Sequence, residues 1–164
     1  MFRPSDAELA TLALHDWARS AHGQLSFSPA PEASALLRVY WVEASFGQYG
    51  EMRPLVVDGR RGASVYIRPD TDALGEEIAI RSREDPLFRD TIVYLTCLHE
   101  LGHALGLEHT AEFEDIMYFF GFGGDILEFF ERYRSQLRSR EDIATVTGLS
   151  QGDLTQLRAL YSIR

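Results

Sequence analysis

The 164-residue chain is predicted to fold as an α+β domain, on three observations. An apolar stripe of helical period opens the chain. Segments rich in β-branched and aromatic residues occupy much of the stretch from 36 to 81, and three further helical patterns follow residue 90. Apolar residues make up 45% of the total, enough for one domain over 1–164 with a sizeable core. No run approaches 18 consecutive apolar residues, so no membrane-spanning helix is expected. The 25 acidic side chains outnumber the 16 basic ones, which argues against a surface for nucleic acid, since that needs clustered Lys and Arg. A single cysteine, Cys97, excludes an internal disulfide framework.

Each element has its own signal. Ser5-x-x-Glu8 has the spacing of a capping box and opens a helix running to about His22, with Leu9, Leu12, Ala13 and Trp17 on one face. Leu36 to Glu43 is dense in β-branched and aromatic residues and is predicted as a strand. Leu55-Val56-Val57, Asp58-Gly59 and Ala63 to Ile67 predict two strands joined by a tight turn. Glu77 to Arg81 is predicted as a further strand. Asp90 to Leu105 is periodic and rich in helix formers, ending at Gly106. Asp125 to Arg138 reads as an amphipathic helix with Ile126, Leu127, Phe130, Tyr133 and Leu137 as its stripe. Ser150-x-x-Asp153 is a second capping box, opening a last helix to about Tyr161.

Residues 99 to 109 carry the chemistry: His-Glu-Leu-Gly-His-Ala-Leu-Gly-Leu-Glu-His. At ~100° and ~1.5 Å per residue, His99 and His103 lie about one turn apart on one helix face and can chelate one ion. Glu100 lies within ~60° of His103 around the axis, so it borders that site without taking a ligand position. A continuing helix would turn His109 ~240° from His103 and carry it ~9 Å further along. Gly106 is the residue that can break the helix and return His109 to the metal, because it enters a left-handed conformation at little steric cost. Three imidazoles with one position left open are the ligand set of a catalytic zinc rather than a closed structural one. Cys97 lies ~200° round the helix from His99 and is expected in the core.

The pattern HExxHxxGxxH resembles the metzincin metallopeptidases, and His-Glu-Leu-Gly-His-Ala-Leu-Gly-Leu-Glu-His-Thr is most similar to their matrixin branch. Asp115-Ile116-Met117-Tyr118 resembles that family's Met-turn, which implies a floor under the imidazoles made by Met117. The resemblance implies a zincin/metzincin fold: a twisted mixed sheet, an N-terminal helix, an active-site helix, and C-terminal helices after the Met-turn. It divides the domain into an upper part of about 1–106 and a lower part of about 107–164. It implies one catalytic zinc on His99, His103 and His109, with Glu100 as the base that takes a proton from the metal-bound water and passes it to the leaving amine. A monomer acting on a polypeptide substrate is expected, the substrate extended along an edge strand for which residues 60–67 are the candidate. Leu98, Tyr118 and Phe119 are candidates for an apolar substrate pocket. Asp70 or Asp72 are the candidate residues for a calcium ion.

The sequence also departs from the family. Tyr118 is followed by Phe119-Phe120 where family members often have proline, and 119–148 is longer than the usual connection, with a helix of its own. His15 and His22 sit ~10 Å apart along the first helix, too far for one ion to bridge, and no second zinc is expected there. The family resemblance implies secretion, while Met1 to Asp6 carries no apolar signal core; the chain is expected either to stay in the cytoplasm or to begin after a removed leader. The competing function is a non-catalytic zinc-binding interaction module, against which Glu100 argues, since a structural site needs no carboxylate there. Hydrolysis of a non-protein amide is a third reading that the same chemistry permits.

Overall fold

The apolar stripe at the amino end forms α1 (Asp6–Ser20), with Leu9, Ala13 and Trp17 fully buried and Leu12 half-buried. The computed structural model to which it belongs describes residues 1–162. The Ser5-x-x-Glu8 box does not form, because the Ser5 hydroxyl makes no capping bond. Asp6 instead accepts from the Arg3 N–H at 2.7 Å and pairs with Arg89, which is itself buried. A buried guanidinium requires a carboxylate partner, and that requirement decides the local geometry.

Among the described residues the three strands are β1 (Leu37–Trp41), β2 (Gly50–Val57) and β3 (Arg60–Ile67), in the order β1-β3-β2. β3 runs parallel to β1 and antiparallel to β2. Asp58 and Gly59, at φ of 50° and 76°, make the hairpin turn between β2 and β3. Residues 60–67 are therefore the central strand of the sheet and cannot be a free edge; the edges are β1 and β2. Pro54 carries the signal for this assignment. It stands inside β2 opposite Ala63, and a proline, lacking an N–H, is tolerated in an edge strand but not in a central one.

The segment Glu77 to Arg81 is helical, not extended. It lies in α2 (Glu76–Glu84), which buries Ile78, Ala79 and Ser82 on one face and leaves Ile80 exposed. Ile78 and Ile80 imitate a strand's alternation, but acidic Glu76 and Glu77 in the first turn and Arg81 and Arg83 in the last favour a helix through its dipole.

The central element is α3 (Pro86–Ala104), which starts four residues before the sequence signal at Asp90. Asp85 caps it, accepting from the Leu87 and Phe88 N–H groups, and Pro86 occupies the first helical position. α3 packs against α1, the sheet and α4 (Ile126–Arg134), and Trp17 Nε1–H donates to the Leu98 carbonyl at 3.0 Å. Cys97 is buried on its inner face. α4 ends at Arg134, short of the predicted Arg138, and adds Phe129 to the expected apolar stripe; Leu137 is buried by the turn that follows. α5 (Gln151–Tyr161) starts at Ser150 with both halves of the capping box formed. Among the described residues no helix is long and apolar enough to cross a membrane.

Candidate metal centre

The helix that carries His99, Glu100 and His103 stops where the sequence requires it to. Leu107 N–H donates to the Gly102 carbonyl and Gly106 N–H to the His103 carbonyl, at 2.9 and 3.0 Å. With Gly106 at φ 100°, these two bonds form a Schellman cap that satisfies the last carbonyls and reverses the chain. His109 returns to face the two helical histidines. Its Nε2 lies 3.1 Å from His103 Nε2 and 3.3 Å from His99 Nε2. The three ligand atoms all lie within 4.8 Å of one another.

Two of the imidazoles are held by backbone carbonyls. His99 Nδ1 donates to the Ile116 carbonyl at 2.6 Å, and His103 Nδ1 to the Leu107 carbonyl at 2.9 Å. A carbonyl can only accept, so each Nδ1 carries the proton and each Nε2 presents a lone pair to the shared centre. Desolvation holds His99 down to about 4, with the Ile116 carbonyl opposing and the two neighbouring histidines reinforcing the shift. His109 is also lowered, by burial and by His103. Neutral imidazoles converging on one point fit a zinc ion in donor type, number and protonation.

Glu100 is buried beside them at 7% exposure. Burial pushes its carboxyl up to about 7, with Glu51 adding to the shift. The carboxylate lies against Gly50 at the start of β2, where a Cβ would come within 2.6 Å of Oε1. The absence of a side chain at Gly50 thus makes the space that Glu100 occupies. Both residues border a mostly apolar cavity of about 160 Å³ that runs from His99 and Glu100 to Leu95, Ile116, Phe120, Ile126, Phe129 and Phe130.

That lining differs from the predicted pocket. Leu98 lies ~100° round the helix from His99 and ~160° from Glu100, and is fully buried in the core, where Gly148 packs against it. Tyr118 is buried, its hydroxyl donating to the Gly123 carbonyl at 3.0 Å. Phe119 turns outward at 44% exposure, and Phe120 is the residue that turns in. The two calcium candidates are engaged elsewhere: Asp70 pairs with Arg68 and accepts from Asp72 N–H, and Asp72 pairs with Arg83. Nothing in the structure supports calcium.

Met117 is fully buried, its sulfur against the α3 backbone at Gly102, the residue before His103. One contributor that sequence reasoning missed is Asp153. Its carboxylate accepts from Ile116 N–H at 2.9 Å, Met117 N–H at 3.3 Å and Ser150 N–H at 2.8 Å. Burial raises its pKa, and the donated N–H groups work against that. Ile116 in turn accepts from His99, so the capping box of α5 reaches the histidine cluster through one residue. The spacing Ser150-x-x-Asp153 announced the cap; its cross-link to 116–117 leaves no local sequence mark.

An α+β fold that gathers three neutral imidazoles at the end of a central helix belongs to the class of zinc metallopeptidases. The family model described as matrixin matches residues 4–124, and the chain belongs to the matrixin family. No curated protein and no solved structure matches it. The family match stops at Gly124, so α4 and α5 lie beyond it.

Proposed function

We propose that the protein is a zinc-dependent endopeptidase whose metal is held by His99, His103 and His109 and whose general base is Glu100. The observation that carries this reading is the convergence of three Nε2 atoms beside a buried carboxylate with its pKa near neutrality. A purely structural site would not need that carboxylate. When bound there, zinc supplies a Lewis acid that polarises a carbonyl and lowers the pKa of water towards neutrality.

The chain's own residues do the rest. The Ile116 and Leu107 carbonyls hold two ligands in the correct tautomer. Met117 and Gly102 give those ligands a rigid apolar floor, the part assigned to a Met-turn. Glu100 takes a proton from the attacking water and delivers it to the leaving amine; a base with a pKa near the working pH is best suited to both transfers. The free edge of β2, which begins at Gly50 next to Glu100, is the rail on which an extended substrate pairs main chain to main chain. The cavity beside His99 accepts an apolar side chain of that substrate, with Phe120, Phe129 and Phe130 deciding its size.

The test is cleavage of casein and of a proteome-derived peptide library by the purified chain. Internal cleavage with an apolar residue beside the cut, abolished by a chelator and restored by Zn²⁺, is the expected result. A chain that binds one zinc and cuts nothing in the library would instead be a non-catalytic metal-binding module.

A further inference from the structure

Resting on the metal-centre reading above, we propose that Phe119 is the positioning residue for the third histidine. Its ring stacks on His109 and stands in for the hydrogen bond that orients each of the other two ligands. The three histidines are not held alike. His99 and His103 sit on a helix and each donates Nδ1–H to a backbone carbonyl. His109 sits beyond the Gly106 turn, is the exposed member of the set, and its Nδ1 has no protein partner among the described residues. What it has is Phe119, with ring centroids 4.9 Å apart and planes 27° from parallel.

Three features build this stack. Thr110 N–H donates to the Met117 carbonyl at 2.9 Å and Phe119 N–H to the Thr110 carbonyl at 3.1 Å, an isolated parallel bridge between Thr110 and Tyr118. The residue after His109 is thereby locked to the residue before Phe119, which fixes the register of the two rings. Gly121 then leaves room for the phenyl ring, since a Cβ there would fall 2.1 Å from Phe119 Cε1. Phe122 meets the ring edge-on, with centroids 5.4 Å apart. Burial does not explain the placement, because Phe119 remains 44% exposed and contributes little to the core. Offset aromatic stacking supplies both attraction and a preferred orientation, and outer groups that orient metal-bound imidazoles strengthen metal binding.

Zinc release to an excess of chelator, followed with a colorimetric indicator, tests this on the full chain. Phe119→Leu keeps apolar bulk and removes the ring; release is expected to be about 2- to 12-fold faster, the range that one aromatic pair corresponds to. Phe119→Trp should restore the wild-type rate. Gly121→Ala displaces the same ring from the other side and should match Phe119→Leu, which keeps the question answerable if that variant fails to fold. With Co²⁺ in place of Zn²⁺, the visible absorption bands should change in Phe119→Leu and return in Phe119→Trp. Release at the wild-type rate in both Phe119→Leu and Gly121→Ala, or no rescue by Trp, overturns the role of the stack. A wild-type chain that takes up no zinc, or one whose zinc affinity is unaffected by His109→Ala, overturns the metal-centre reading instead.

Discussion

Glu100→Gln is expected to retain a full complement of zinc and to lose peptide hydrolysis by about 10²- to 10⁴-fold in kcat/KM, the usual contribution of a positioned general acid–base. Glutamine matches the glutamate in size, so it fits the space left by Gly50 without the collision that a larger side chain would meet. It cannot accept the proton of the attacking water. Glu100 is not one of the three converging ligands, and metal content measured by elemental analysis should equal that of the wild type. Full activity in Glu100→Gln would contradict the proposed mechanism, while loss of zinc would mean that the carboxylate takes part in holding the metal.

Asp153→Ala should have the largest effect on stability. The substitution removes the only acceptor that the described residues provide for the Ile116 and Met117 N–H groups, in a part of the core where both residues are nearly or fully buried. Each orphaned buried donor costs about 1–3 kcal/mol, and the half of the α5 capping box in which Ser150 N–H donates to Asp153 is lost as well, for about 1 kcal/mol. A loss of roughly 3–7 kcal/mol follows from those terms, measurable by denaturant unfolding of the metal-free protein. Zinc affinity should fall in parallel, because the Ile116 carbonyl that orients His99 is carried by the released turn. A loss under 1 kcal/mol would show that water or a backbone shift satisfies both N–H groups.

The convergence of His99, His103 and His109 was legible in the sequence because its geometry is local. His99 and His103 need only the helical period, and the return of His109 needs only a glycine that can adopt φ 100°. The matrixin resemblance rests on the same residues. The substrate pocket was not legible, since its walls come from β2, α3, the turn at Ile116 and α4, and which of two adjacent phenylalanines faces inward depends on the Thr110–Tyr118 bridge. The groups that orient His99 and His103 are backbone carbonyls, which have no residue identity to read. In the sheet, strand existence followed from β-branched and aromatic content, whereas strand order depends on non-local pairing. Pro54 was the one local sign that β2 lies at the edge. The mistaken strand at Glu77 to Arg81 arose because five residues with alternating apolar character fit either period.

Whether His99, His103 and His109 together hold one zinc is read from X-ray absorption at the zinc edge of the purified protein. One zinc per chain, with three imidazole nitrogens at about 2.0–2.1 Å and no sulfur neighbour, is the expected result. Fewer than three imidazoles, or a sulfur ligand near 2.3 Å, would contradict it.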